Sequence, residues 1–458
     1  MTRRERHRIA SSRDAELVVP VALSTAVLAV VAIGLYVGVD TFLLLAIAAA
    51  PLALVIATRW ALGVVVVTLV ARALVDNSGL QLLTGGLALT IIVVAILELR
   101  HAPRLVGPVL GAATYLFISA WAGAPTHGGD YTYSEALRLL SCLGVVIITV
   151  HAPGRLTLRS TAHVVQAVGV VPALLAVHQF LTGTGTMNSG VLRASGTLAH
   201  ENSAAMLFAL CNLATFALML DSARRRWLHA GLLLVFMAAQ LATGSIGGLV
   251  SAVVMVLTYL ASAAVRRADR VLLGLLGVAL GVYAALTSQI GAQRLEEYNG
   301  SRSETTSLEW RFEAWGAVLA AWRRNPLWGN GVGSTLSPSI LQGNIPHNEY
   351  VRLLAELGVI GLAVVVFLTV AYARAMASRR RSSPYPAASA FAIAALTGTA
   401  VNAFAANTML YSVSFYVTLF VLGACWRISQ SVPGAVGEDS APIERRWATD
   451  PDRTPTAR

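Results

Sequence analysis

At 458 residues, 56% hydrophobic and only 12% charged, the chain is too apolar for a soluble globular domain, where about a quarter of residues are charged. All 34 basic residues are arginine, and they fall between hydrophobic runs, as topology signals do; the net charge of +11 therefore points to the lipid bilayer and to no nucleic acid. Cys142, Cys211 and Cys425 lie inside apolar runs, so there is no disulfide framework or metal-ligand spacing, and they read as small buried hydrophobes.

The reading is an all-α, polytopic membrane bundle. A bilayer core takes about twenty apolar residues per helix, with a range of roughly 17 to 25. After a basic leader over 1–17, candidate spans fall at 18–38, 41–57, 61–75, 80–97, 105–122, 135–151, 161–181, 202–220, 228–242, 246–264, 271–288, 350–372, 387–403 and 409–426. Three of these are short, so about 12 to 14 crossings are expected. With the N terminus inside, the alternation places 25 of the 34 arginines on the cytoplasmic side and survives every crossing. Both termini are then cytoplasmic. The expected organisation is leader 1–17, bundle 18–288, a large extracytoplasmic loop with short helices over 289–348, C-terminal spans over 349–428, and a tail over 429–458. That tail is rich in Pro, Ser and charge without periodicity, and reads as disordered.

The outer loop is the organising stretch, because a connection of this length in a compact protein is functional or disordered, and this one holds tryptophans and glycines at fixed places. Five arginines and five glutamates make it formally neutral. Residues 308–324 predict a helix with Phe312, Trp315, Leu319 and Trp322 on one face. Such a helix either lies in the headgroup region with its tryptophans as anchors or caps the top of the bundle with its tryptophans as core. Both readings place Arg311 beside the membrane surface.

His347 stands at the start of an apolar helix, where outside water meets the membrane. A group of near-neutral pKa there suits proton removal from a hydroxyl; the alternative is a cap or surface residue. Glu349, Arg352 and Glu356 form one charged stripe entering an apolar span, where charges face a cavity or pair with one another. Arg352 and Glu356 can pair at i,i+4, which leaves Glu349 to orient His347 or a substrate. Arg193 precedes another span, close to His200 and Asn202. Arginines at a membrane face either clamp a phosphate or snorkel to headgroups. There is no phosphate loop, no His-Glu-x-x-His and no aspartate pair for a metal-held sugar nucleotide, so no cofactor and no metal are expected. Gly329-x-Gly331-x-Gly333 follows no strand, and tight turns account for it.

Taken in order, Arg193-x-x-Gly196-Thr197-x-x-His200-x-Asn202, Arg311-x-x-x-Trp315, Asn325-Pro326-Leu327-Trp328-Gly329-x-Gly331-x-Gly333 and His347-Asn348-x-Tyr350-x-x-x-Leu354-x-Glu356-Leu357-Gly358-x-x-Gly361 resemble the O-antigen ligase and O-antigen polymerase superfamily. The resemblance is specific over about 190–365. It implies a C-type, metal-independent, inverting membrane glycosyltransferase of the cytoplasmic (inner) membrane. Such an enzyme moves a glycan from an undecaprenyl diphosphate carrier to a glycan or lipid acceptor on the outer face, in concert with other polysaccharide assembly proteins. By position, His347 would be the general base or the residue that orients the acceptor, and Arg311 the diphosphate ligand, with Arg193, His200, Asn202, Trp315, Asn348, Glu349 and Tyr350 binding substrate. One departure matters: members carry Ser-Arg-Gly where this chain has Ser245-Ile246-Gly247, so Arg193 either takes over that charge or the chemistry differs. A transporter of a lipid-linked sugar or small anion, or a degenerate family member, are the alternatives.

Overall fold

The computed structural model describes residues 60–77, 81–151, 156–188, 191–221, 226–262, 307–341 and 345–431. The expected leader, the spans at 18–38, 41–57 and 271–288, the loop residues 289–306 and the tail beyond 431 lie outside these. Among the described residues there are thirteen α-helices and one small hairpin. They are α1 (Ala61–Val75), α2 (Gln81–Glu98), α3 (Pro103–His127), α4 (Gly129–His151), α5 (Leu158–Thr182), strands β1 (Thr186–Asn188) and β2 (Val191–Arg193), α6 (Glu201–Asp221), α7 (Arg226–Ala242), α8 (Ile246–Ser262), α9 (Ser307–Trp322), α10 (Pro338–Leu341), α11 (Glu349–Ser382), α12 (Pro386–Asn402) and α13 (Ser412–Gln430). The strands pair antiparallel, with Thr186 opposite Arg193. Seven helices are long and apolar enough to cross a membrane, and α1, α7 and α8 are shorter apolar helices. The chain is an all-α polytopic membrane protein.

The core forms around α6, whose residues from Ala204 to Ala214 are buried on every face. A helix apolar all round belongs inside a bundle, and α6 has α5, α7, α8, α12 and α13 around it. Close approach is achieved with small residues, as in other membrane bundles. Thus α12 buries Ala387, Ala388, Ala390, Ala392, Ala394 and Ala395. A Cβ on Gly398 would stand 2.2 Å from Met255 Cγ, and one on Gly248 would stand 2.3 Å from Ala205 Cβ. By contrast, α3 exposes Phe117, Ile118 and Trp121, an apolar surface suited to lipid. All three cysteines are buried free thiols, as expected.

One expected span has a different form. The run at 350–372 belongs to α11, whose 34 residues would extend roughly 51 Å if straight, far more than the ~30 Å hydrocarbon core. It is broken at Gly358, which has φ 67° and ψ −172°. The break is filled by the loop after α9. Val359 N–H donates to Pro326 O at 3.0 Å and Ile360 N–H to Leu327 O at 3.3 Å, while Ala355 O and Glu356 O accept from Asn330 N–H at 2.8 Å and Gly331 N–H at 3.1 Å. Irregular backbone within a membrane protein persists only where such partners are supplied.

Two backbones can come this close only without side chains. A Cβ on Gly358 would lie 2.1 Å from Leu327 O, and one on Gly329 would lie 2.3 Å from Glu356 O. The glycines of 329–333 are therefore turn and contact glycines, as expected, and their contact is with a broken helix.

Helix α9 matches the expected 308–324 within two residues, but the buried face is rotated from the one expected. Ala314 and Val318 are buried, whereas Phe312 is 56% exposed. Ala314 and Val318 pack with Leu341 and Ala355, flanked by Trp310, Trp322 and Val351. Thus α9 sits on the first turns of α11, with Trp310 and Trp322 at the margin of the contact. The last helix continues to Gln430, two residues past the expected end of the C-terminal spans.

Candidate active site

The site assembles where helices begin. The sequence alternation expects α6, α8, α11 and α13 to start on one face, and their N-terminal residues meet there. Ser245, before α8, donates to Asn202 Oδ1 of α6 at 2.8 Å. Tyr411, before α13, stacks on His200, before α6, at 5.4 Å. His347, just ahead of α11, stands 5.6 Å from His200, and Trp310 of α9 meets His347 edge-on at 5.8 Å. Helix N-termini carry partial positive charge and unpaired N–H groups, so this convergence favours anions.

His200 is placed by a braced loop. Gln179 takes N–H bonds from Ser195 and Gly196 and returns one to Gly196 O. Asp76 accepts from Ala199 N–H at 3.0 Å, and Asn77 N–H donates to Thr197 O. His200 Nδ1 accepts from Asn202 N–H at 3.0 Å, which caps α6 and leaves the ring proton on Nε2. Protonating Nδ1 would break that cap, so in this arrangement the neutral ring offers its N–H at Nε2. Burial lowers its pKa, helped by Arg193 and Arg311 and opposed by Glu201.

His347 has φ 50°, and no other described non-glycine residue has a positive φ. Such a conformation costs about 1–3 kcal/mol and is held by its surroundings. Trp315 Nε1 donates to Pro346 O at 2.7 Å, and Asn407 Oδ1 accepts from Asn348 N–H at 3.1 Å. Burial first, then the positive charge of Arg311, brings the His347 pKa down to about 3. The ring is neutral at physiological pH. Arg311 also donates to Ala405 O at 3.3 Å.

The remaining expected residues have more structural surroundings. Arg193 is buried and paired with Glu201, and it donates to Thr243 O at 2.9 Å and Asn202 Oδ1 at 3.1 Å. Its charge is thus largely matched inside the protein, beside the turn that leads to Ile246. Asn348 caps α11 through Val351 N–H at 3.1 Å. Tyr350 bonds Ala400 O and packs on Phe404.

Glu349 is a correction, because it is not left over to orient His347. It faces Arg352 at 2.6 Å and accepts from Met409 N–H at 2.9 Å. Arg352 is fully buried and also meets Glu356 at 2.9 Å, as the i,i+4 spacing suggests, and Glu135 of α4 at 3.0 Å. Glu135 in turn binds Arg138 at 2.5 Å, and Arg138 bonds Met409 O. Three carboxylates and two guanidiniums thus lock α4, α11 and the 403–411 connection together. Removing one partner of such a buried set costs about 3–5 kcal/mol.

Sequence reasoning passed over this connection and its Asn407 and Tyr411, together with Glu201, Trp310, Glu135 and Arg138. A charge at the head of an apolar run was the available signal for Glu201 and Glu135. Nothing local marked Asn407. Among the described residues, no three His, Cys, Asp or Glu side chains gather as a metal set.

Residues 230–366 match the family model for O-antigen ligase. The match takes in Ile246, Arg311, Trp315, the loop that fills the break in α11, and His347; Arg193–Asn202 and 403–411 lie outside it. No curated protein matches the chain.

Proposed function

We propose that this member of the O-antigen ligase superfamily is a membrane glycosyltransferase that transfers or polymerises a glycan from an undecaprenyl diphosphate carrier onto an acceptor hydroxyl. The observation that carries the reading is a neutral histidine held in a strained conformation next to Arg311, where four helix N-termini converge. The N-termini and Arg311 suit an anionic leaving group. The neutral His347 suits a proton acceptor.

In this reading the acceptor oxygen attacks the anomeric carbon from the face opposite the diphosphate. The carbon–oxygen bond to the diphosphate breaks, its electron pair leaves with the phosphate, and the hydroxyl proton passes to His347. A pKa of about 3 makes the ring a weak base before substrate binds. A diphosphate bound at Arg311 offsets the positive charge that depresses that pKa, so substrate binding itself strengthens the base. The site faces outward and both termini are cytoplasmic, as the arginine alternation indicates. The lipid bilayer then holds the carrier's tail against apolar faces such as that of α3.

A broken helix is also a feature of transporters, where it lines a midplane binding site. Here the break at Gly358 is occupied by the backbone of 326–331, which leaves no such site and favours the enzyme. His347→Ala should abolish glycan transfer in cells while its level in the membrane stays at wild type; retained transfer in a normally inserted variant removes the base role.

A further inference from the structure

Every described non-glycine residue except His347 keeps a negative φ. The two peptide groups that define its conformation are each captured by a side chain. The carbonyl before it, Pro346 O, accepts from the Trp315 indole at 2.7 Å. The N–H after it, on Asn348, donates to Asn407 Oδ1 at 3.1 Å. We propose that Trp315 and Asn407 are positioning residues that clamp His347 in the left-handed conformation and so aim its imidazole, which makes the 403–411 connection part of the catalytic apparatus.

The direction of a Cα–Cβ bond follows from φ and ψ, and an extended backbone at 347 would swing the ring away from His200 and Trp310. The Asn407 amide cannot be reversed without setting Nδ2 against the Asn348 N–H, so its oxygen is fixed as the acceptor. The connection that carries it is itself pinned on several sides. Asn402 donates to Ser251 Oγ at 3.2 Å and accepts from Thr408 at 3.0 Å. Ala403 O takes Glu349 N–H at 2.8 Å, and Met409 is bonded at both its N–H and its carbonyl. Ala405 O takes Arg311, and Tyr411 stacks on His200. The elements bearing Arg311, His200 and His347 therefore all reference this one segment. Trp315, expected from the sequence to bind substrate, acts in this arrangement through its N–H on the backbone.

This inference rests on His347 being the base. The test uses detergent-solubilised full-length protein and, as substrate, carrier-linked glycan extracted from cells lacking the gene. Initial rates are measured against substrate concentration for wild type, His347→Ala, Asn407→Leu, Asn407→Asp and Trp315→Phe, with an unfolding midpoint for each. A displaced catalytic group costs on the order of 100-fold, so Asn407→Leu and Trp315→Phe should each lose roughly 10- to 100-fold in kcat at nearly unchanged KM. Asn407→Asp, which keeps an oxygen for the Asn348 N–H, should recover most of that loss. If His347→Ala is inactive while folded Trp315→Phe or Asn407→Leu keeps the wild-type kcat, the clamp is refuted and the base role stands. A loss confined to KM, or one that Asp does not restore, also refutes the clamp. If wild type does not turn over the extracted glycan, or His347→Ala turns it over normally, the functional reading itself fails.

Discussion

Adding one methyl group at Gly358 should dismantle the region that supports the site. The new Cβ would stand 2.1 Å from Leu327 O, 2.4 Å from Leu327 C and 2.6 Å from Gly329 N, so two backbones would have to separate. Four hydrogen bonds, of 2.8, 3.0, 3.1 and 3.3 Å, cross that contact. Each contributes about 1 kcal/mol net where water can replace it and more where it cannot. Alanine at φ 67° and ψ −172°, a region essentially confined to glycine, adds about 1–3 kcal/mol. The expected loss for Gly358→Ala is therefore about 5–7 kcal/mol, a large part of a typical folding stability of about 5–15 kcal/mol. Fluorescence-detected gel filtration after stepwise heating in detergent measures it, and a fall on the order of 10 °C or failure to accumulate is expected. A variant with the wild-type midpoint and glycan output would show that the loop does not fill the break as described.

Further predictions bear on the charges. The acid limb of kcat/KM, which reports the free enzyme, should lie well below pH 6.5, because burial and Arg311 bring His347 down to about 3. Replacing Arg311 by Gln removes a charge that lowers this pKa, so the residual activity of that variant should lose its acid limb at higher pH than wild type. In the same sense, unfolded His347 takes up a proton near its ordinary value while the folded ring does not until near 3. Its contribution to stability is then complete above pH 6.5 and is lost as pH falls from there towards 3; a midpoint measured against pH, compared with that of His347→Gln, checks the sign. Arg352→Met should lower stability by about 3–5 kcal/mol because it strands Glu349 and Glu356 while Glu135 keeps Arg138, and Glu356→Gln combined with it should restore part of the loss. Arg311→Lys should strongly impair glycan output if a planar fork holds the diphosphate; normal output would leave only a point charge or a structural contact with Ala405.

The fold was largely legible because spans are read from apolar length, and each expected span within the described residues meets a helix. Reading failed where a helix departs from its own sequence pattern. The break at Gly358 sits in a run that reads as one continuous span, and only the spatially adjacent Pro326–Gly331 explains why the backbone can open there. Periodicity assigned Phe312 to the buried face of α9, whereas burial follows Ala314 and Val318, because a short helix resting on α11 packs by small residues and leaves its larger rings at the margin.

The candidate site was legible as residue types and less so as roles. His347, His200 and Arg311 come together, yet Arg193 and Glu349 are taken up by charges near them in the chain, Glu201 and Arg352, and by distant backbone groups, Thr243 O and Met409 N–H. A buried salt-bridge partner such as Glu135, 217 residues from Arg352, leaves no local trace. Asn407 acts through one hydrogen bond across 59 residues, and its neighbourhood looked like an ordinary short connection between two spans.

His347 is proposed to act in glycan transfer from a lipid carrier. The most direct test of that role is the profile of carrier-linked and surface glycan, by gel and mass analysis, in cells lacking the gene and restored with wild type or His347→Ala. Deletion and His347→Ala should share one defect that wild type reverses. Single repeat units building up on the carrier would mark a polymerase, and long chains left on the carrier would mark a ligase. An unchanged profile in both would remove glycan transfer as the role of this protein and of His347.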